Sequence, residues 1–141
     1  IMYSQNDFLT DLMKKNIYAY EKDNYGHAYI ILNQFVPSSY NAEQKKLFVQ
    51  HIIKIVNESL LFSRKNGKNS AYVHLYLTKC TRHNFNLAWF KKINNVLANE
   101  FEDTLETLYI YSDSGLFSNL WKIIKNFIDK DTKKKVVLVK C

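Results

Sequence analysis

The chain is poor both in residues that interrupt regular structure and in residues that cross-link it. It holds one proline, three glycines and two cysteines in 141 residues. So little proline and glycine argues against a loop-rich all-β fold and against a flexible linker. Cys80 and Cys141 are too few for a disulfide framework, and they indicate a reducing compartment, which we take to be the cytoplasm.

Long apolar runs are absent as well. No stretch reaches the roughly 18 consecutive apolar residues that suggest a membrane-spanning helix. The first residues also lack the pattern of a charged segment followed by an apolar one that marks a signal peptide. The sequence therefore predicts no membrane span, and contact with a membrane would be peripheral.

Arginine is scarce, since only Arg64 and Arg82 occur, and lysine supplies nearly all of the net charge of +7. A basic protein attracts phosphate groups, anionic membranes or nucleic acid. Base recognition and bidentate binding of phosphate favour arginine, so this excess of lysine disfavours nucleic acid. Abundant Lys, Asn, Ile and Tyr also fit an AT-rich coding genome, a cause that involves no function.

The remaining composition is that of a globular protein, with 47% hydrophobic and 15% aromatic residues. The length suits a single domain, 1–141. Apolar positions at helical spacing, with Asp7 as a possible N-cap, predict an N-terminal helix within residues 1–20. Residues 27–139 are expected to form the core.

Strand-like and helix-like segments alternate along that core. Asn41 is a candidate N-cap for the first long helix. Alternation of this kind predicts an α/β fold, with a mainly parallel sheet of about four strands and helices packed on it. The predicted strands are 27–35, 71–77, 105–111 and 135–139, and the predicted helices are 41–62, 85–101 and 116–128.

Motifs of catalysis and of cofactor binding are missing. There is no GxGxxG and no phosphate-binding Walker loop. Cys80 and His83 have the spacing of half a zinc site, but no second pair follows. His51 and His74 fall inside a predicted helix and a predicted strand, where histidines with satisfied hydrogen bonds are common. The sequence thus predicts no catalytic residue, no metal site and no cofactor, and we expect a protein that is not an enzyme. An acidic run is best explained as a solvated connection: Glu100, Glu102, Asp103 and Glu106.

The segment 101–139 carries a resemblance to a known family. An apolar Tyr109-Ile110-Tyr111 run is followed by Leu116-Phe117-Ser118, Leu120-Trp121-Lys122 and Phe127-Ile128-Asp129. This order resembles the closing strand, helix and strand of a CRAL-TRIO lipid-binding domain. Departures are Ser112–Ser114 in place of Asn-Ala-Pro, and non-proline residues at positions where prolines are usual. The chain looks like a minimal or truncated form of that domain.

The resemblance implies a phospholipid or other hydrophobic ligand, held in a pocket over one face of the sheet. The aromatic stripe of the 116–128 helix would serve either core packing or the lining of that pocket. A cavity large enough for two acyl chains between the sheet and its helices would favour a lipid. The residues expected to contact the ligand are Tyr109, Tyr111, Phe117, Leu120, Trp121 and Ile124.

Lysines gather on and after the same helix. Together they predict a site for an anionic membrane surface, or for phosphate in lipid transfer and phosphoinositide-linked recruitment. An ordinary solvated helix face is the alternative. The lysines are Lys122, Lys125, Lys130, Lys133, Lys134 and Lys135.

A second function remains open. Compact CRAL-TRIO-like domains of the BCH and GTPase-activator group act as protein-interaction scaffolds and bind small GTPases. A pocket filled by side chains, together with an exposed apolar edge, would favour that alternative.

Overall fold

The computed structural model describes residues 5–84, 86–113, 119, 122, 125, 126 and 130–141. Most of the helix expected over 116–128 lies outside them. A 3₁₀ turn, Pro37–Ser39, precedes the first long helix. The helices are α1 (Gln5–Asn16), α2 (Ala42–Lys65), α3 (Leu87–Phe101) and the short α4 (Lys130–Lys133), and the strands are β1 (Ile17–Lys22), β2 (Tyr25–Ile31), β3 (Ala71–Tyr76), β4 (Leu105–Ser112) and β5 (Val136–Lys140).

The strands form one sheet in which spatial order follows chain order, β1-β2-β3-β4-β5. β1 and β2 are antiparallel, and every other neighbouring pair is parallel. The prediction of an α/β fold with a mainly parallel sheet is confirmed. The predicted number of about four strands was too low, because the hairpin adds β1.

The predicted helix within residues 1–20 ends earlier than expected. It stops at Asn16, and the next six residues form β1. The reason is a change of period: Ile17 is buried, whereas Tyr18 and Tyr20 are exposed. Alternation of buried and exposed side chains is typical of a strand with one covered face, and pairing with β2 satisfies its backbone groups.

The turn predicted around residue 23 is the link of the β1–β2 hairpin. Asp23 and Asn24 both have positive φ, at 55° and 71°. A two-residue turn with positive φ at both positions matches the right-handed twist of the flanking strands, and Asp and Asn tolerate that conformation. This local chemistry sets the register in which Tyr20 lies opposite His27.

The long helix α2 begins as predicted. The Asn41 side chain accepts a hydrogen bond from the Gln44 backbone N–H at 2.9 Å, and the Gln44 side chain accepts one from the Asn41 N–H at 2.9 Å. This capping box satisfies two backbone donors that the first helical turn leaves without partners. The helix then buries one stripe, which includes Phe48, Ile52 and Val56.

Helices α2 and α3 cover the same face of the sheet. The ring of Phe48 on α2 meets that of Trp89 on α3, with centroids 5.6 Å apart. Both helices pack over inward side chains of β2, β3 and β4, such as Ile30, Val73 and Leu108. Burial of these side chains supplies most of the stabilisation of the fold.

A close contact between β2 and α2 fixes how near the helix lies to the sheet. The Gly26 N–H donates to the Ser63 Oγ at 2.7 Å. A Cβ atom added at Gly26 would lie 1.7 Å from the Ser59 carbonyl oxygen. Both serines are fully buried. Small residues on both elements are therefore required at this crossing.

We expect Gly26→Ala to lower the free energy of unfolding by about 3 kcal/mol or more, because helix and strand must separate to admit the methyl group. Urea denaturation followed by circular dichroism measures the change.

Gly67 provides the matched control, since a Cβ there meets nothing within 4 Å and its φ is +78°. Gly67→Asn should cost well under about 1 kcal/mol, because asparagine tolerates that conformation at a helix end. An unfolding midpoint in Gly26→Ala equal to that of Gly67→Asn would contradict the close crossing.

Candidate ligand-binding site

The two faces of the sheet differ sharply in what lies on them. Side chains on one face are packed under α2 and α3. Those on the other face point away from these helices, and we call this the open face. It is almost wholly made of tyrosine, histidine and β-branched residues. Its members are Tyr18, Tyr20 and Lys22 on β1, Tyr25, His27, Tyr29 and Ile31 on β2, Tyr72, His74 and Tyr76 on β3, Thr107, Tyr109 and Tyr111 on β4, and Val137 and Val139 on β5.

Rings on the open face are stacked in rows that cross the strands. In one row, centroids are 5.4 Å apart from Tyr18 to Tyr29, 4.6 Å from Tyr29 to His74 and 5.0 Å from His74 to Tyr109. These spacings follow from the separation of neighbouring strands, which is about 4.8 Å. Flat rings in register therefore stack face to face, and each shields its neighbours from water.

Two histidines and a tyrosine are joined by hydrogen bonds across β2, β3 and β4. His74 contacts His27 at 2.8 Å through Nε2 and the Tyr111 hydroxyl at 2.8 Å through Nδ1. Burial, followed by the neighbouring His27, lowers the pKa of His74 to about 4. Burial also lowers the pKa of His27 and raises that of Tyr111. At neutral pH all three groups are thus uncharged.

Space for a ligand differs between the faces. Beneath α2 and α3 the described residues enclose two apolar cavities of about 40 Å³ each, one beside Phe35 and Trp89 and one beside Ala98 and Phe101. Such cavities hold no more than a few water molecules. Neither of these two cavities has room for two acyl chains.

The open face carries a larger depression, of about 340 Å³. This volume lies within the usual range for sites of small ligands. We call it the histidine cleft. Its lining consists of Lys22, Asp23, Tyr25, His27, Tyr72, His74 and Tyr109.

Only part of the predicted ligand-contact set can be located. Tyr109 and Tyr111 both lie on the open face, and Tyr109 lines the histidine cleft. The other four, Phe117, Leu120, Trp121 and Ile124, fall outside the described residues.

The predicted lysine cluster lies at the protein surface. Its members are exposed except Lys135, which is half-buried and donates a hydrogen bond from Nζ to the Glu102 carbonyl at 3.3 Å. Lys130 and Lys133 belong to α4. The exposed members are Lys122, Lys125, Lys130, Lys133 and Lys134.

Within the described part of the chain, no group of three or more His, Cys, Asp or Glu residues is arranged to hold a metal ion. Burial and the charge of Asp113 raise the pKa of the Cys80 thiol to about 11, so it stays protonated at neutral pH. None of the helices in the described ranges is long and apolar enough to cross a bilayer.

Most of the open face was not predicted from the sequence. The signal was present, because Tyr72, His74 and Tyr76 alternate with Val73 and Leu75 at the period of a strand that has one polar face. In β2 the alternation is harder to recognise, because residues 28–32 form one continuous apolar run.

Comparison with known proteins supports the same architecture. The model of the CRAL/TRIO domain matches residues 12–141. No curated protein matches the chain. Among solved structures, the crystal structure of Sfh5 superposes with a TM-score of 0.60 at 14% sequence identity, covering 92% of this chain and 49% of that one. The chain thus spans about half the length of that structure, and at this identity the likeness concerns the fold alone.

Members of the matched family bind lipids or other hydrophobic small molecules and are generally not enzymes. The match extends over nearly the whole chain, including β1 to β5 and the open face that they form. The resemblance noted over 101–139 therefore holds for the full sheet, and the chain belongs to the CRAL/TRIO domain family.

Proposed function

We propose that the chain binds a phospholipid or another hydrophobic ligand on the open face of its sheet, and that it serves lipid transfer or phosphoinositide-linked recruitment to a membrane. Membership of the family supports a hydrophobic ligand. The location on the open face is supported by the difference in volume between the faces. Cavities of about 40 Å³ lie under the helices, whereas a depression of about 340 Å³ lies on the open face.

The chemistry of the open face fits an amphipathic ligand. The edges of its stacked rings offer apolar contact, while phenol hydroxyls and imidazoles offer hydrogen bonds. Ile31, Val137 and Val139 extend the apolar part towards the carboxyl ends of the parallel strands. An acyl chain laid along this surface would remove apolar area from water, which favours binding by about 25 cal/mol per Å² before the cost of ordering the ligand.

The lysine cluster supports recruitment to an anionic surface. Lys130, Lys133 and Lys134 are exposed and close in sequence. Lysines beside an anionic bilayer each contribute about 1 kcal/mol of attraction, which salt screens. Lys135 is a weaker candidate because its ammonium group already binds the Glu102 carbonyl.

A protein-interaction scaffold of the small-GTPase-binding type is the second candidate. It is favoured by the nearly filled space under α2 and α3 and by the edge strand β1, where Tyr18 and Tyr20 are 39% and 57% exposed. An edge strand offers backbone groups with which a partner strand can pair.

The location of the ligand is tested by placing a carboxylate on the open face. Val137 is 43% exposed and lies opposite Tyr109, so Val137→Glu should fold. We expect the variant to retain about tenfold less lipid than the wild type after incubation with mixed liposomes and gel filtration, because a carboxylate against an acyl chain loses its hydration. Mass spectrometry of extracted lipid gives the amount.

Leu61→Glu is the matched control, an equally apolar residue that is 65% exposed on α2. It should retain lipid as the wild type does. Equal retention by the two variants would show that the ligand does not lie on the open face. A wild type that takes up no lipid would refute the proposal as a whole.

Recruitment is tested with a Lys130→Gln, Lys133→Gln, Lys134→Gln triple variant. At low salt we expect its binding to liposomes containing phosphatidylserine and phosphoinositide to weaken by roughly 3 kcal/mol, or about 100-fold, as the sum of three charges. Co-sedimentation at two salt concentrations measures this.

The control removes the same total charge from exposed lysines elsewhere, Lys14, Lys15 and Lys46. If both triple variants weaken binding alike, attraction depends on net charge and the lysine cluster has no special role.

The scaffold is tested by affinity capture with purified small GTPases in GDP-bound and GTP-bound forms. If β1 is the docking edge, Tyr20→Ser should reduce capture at least about fivefold, because exposed aromatic residues dominate interface energies. Leu61→Ser serves as the comparison. Absence of capture by the wild type in either nucleotide state would dismiss this candidate.

A further inference from the structure

The hydrogen-bonded groups on the open face form a chain that continues beyond the two histidines. It runs from the Tyr111 hydroxyl to His74 Nδ1, from His74 Nε2 to His27 Nδ1 at 2.8 Å, and from His27 Nε2 to the Lys22 carbonyl oxygen at 3.3 Å. Residues far apart in the sequence are joined in this way because their strands are in register.

The last acceptor fixes the direction of every bond in this chain. A backbone carbonyl can only accept, so His27 Nε2 carries the proton. A neutral His27 then has a bare Nδ1, which must accept from His74 Nε2–H. A neutral His74 in turn has a bare Nδ1, and the Tyr111 hydroxyl donates to it. All three side chains are thereby satisfied without charge, and each imidazole keeps one proton-accepting site within the chain.

The histidine cleft lies beside this chain at the amino-terminal end of β3 and β4. Phenol groups of Tyr25, Tyr72 and Tyr109 line it with the two imidazoles. At the other end of the face the neighbours are Ile31 and Val139. The charged groups and the imidazoles of the open face therefore lie towards one end, whereas aliphatic side chains lie beside Tyr76 and Tyr111 at the other.

Charged groups around the cleft are few. Lys22 on β1 disfavours protonation of both imidazoles, while Asp23 in the hairpin turn favours protonation of His27. On the α2–β3 connection, Lys68 lies over the Tyr25 ring at 5.5 Å. On β4, Glu106 accepts a hydrogen bond from the Ser70 hydroxyl at 2.6 Å; burial, and then the charge of Glu106, raises the pKa of Tyr72. Facing His74 are the rings of Tyr29, Tyr109 and Tyr111.

We propose that the histidine cleft binds the acidic head of an amphiphile, a carboxylate or a phosphate, with its hydrocarbon tail along the open face towards Ile31 and Val139. This inference rests on the proposed function. Lys22 supplies a cation, phenols supply hydrogen-bond donors, and the histidine pair supplies a site that takes up a proton when an anion arrives. Charge-assisted hydrogen bonds of this kind are stronger than neutral ones.

Proton uptake is expected because a bound anion would raise the pKa values of the two imidazoles. In the free protein the pKa values of His27 and His74 are depressed, and both are neutral near pH 7. A bound anion stabilises an imidazolium and raises its pKa in the complex. Affinity for the anion therefore rises as the pH falls through the raised value and levels off below the depressed one. A ligand with an uncharged head has no such dependence.

The test compares laurate, dodecyl phosphate and dodecanol, which share one tail, by isothermal titration calorimetry below their micellar concentrations. The acids are expected to bind about tenfold more tightly than the alcohol, a difference of about 1.4 kcal/mol. Titration at about pH 6.5 in buffers of different ionisation enthalpy should show proton uptake with the acids and none with the alcohol.

Two pairs of variants locate the head. Lys22→Gln should lose most of the preference for acids, whereas Lys46→Gln, an exposed lysine on α2, keeps it. His27→Asn retains an acceptor for His74 Nε2–H but removes one of the two imidazoles, so it should reduce proton uptake, whereas His83→Asn, at an exposed position, should not. Circular dichroism checks that each variant is folded, and the imidazole NMR signals of His74 report proton uptake if His27→Asn is unstable.

The outcomes separate the inference from the function on which it rests. Binding of one acid but not the other identifies the head as carboxylate or phosphate and supports the inference. Equal binding of all three ligands would contradict the preference for an acidic head but would still support a site for hydrophobic ligands. A preference for acids that survives Lys22→Gln also overturns it, because the head then lies elsewhere. If the wild type binds none of the three, the proposed function fails together with the inference.

Discussion

The handedness of parallel crossovers is the constraint on which the rest of this structure depends. The four parallel strands β2 to β5 lie in chain order without a reversal. A strand, crossover and parallel strand unit is almost always right-handed, so successive units that progress in one direction place their helices on one side. Helices on both faces would require a reversal of strand order. Here α2 and α3 share one face, and no described helix covers the other.

A sheet face that no described helix covers needs side chains that are stable in contact with water, and tyrosine and histidine have this property. Their rings stack at the spacing of the strands, as with Tyr76 and Tyr111, whose centroids are 4.2 Å apart with planes inclined by 4°. Each ring thus buries its flat surface against a neighbour and keeps its polar atoms accessible. Leucine or isoleucine at these positions would present a large apolar patch, a cause of aggregation. The same arrangement leaves hydrogen-bonding groups available to a ligand.

Sequence reasoning succeeded where the determining signal was local. The cap at Asn41, the apolar stripe of α2 and the short strand Ala71–Tyr76 can each be inferred from a few neighbouring residues. It failed where the answer depended on distant elements. β1 follows α1 without a break, so the helical spacing of apolar residues and the alternation typical of a strand meet at Ile17. The contact between His27 and His74 joins residues 47 positions apart and requires knowledge of strand order and register.

The residues that stabilise the fold and those of the proposed binding surface lie on different faces of the sheet. The helix-covered face holds the tight crossing of Gly26 with Ser59 and the buried ring of Phe48, where added or lost volume changes the free energy of unfolding directly. Open-face side chains are held mainly by their stacked neighbours, so substitutions there alter the proposed ligand surface at smaller cost to the core. His74 is the exception, because it is 7% exposed and hydrogen-bonded on both sides. Burial lowers the pKa of His74 to about 4, so the imidazole is neutral at physiological pH, and an anion bound beside it would raise that pKa.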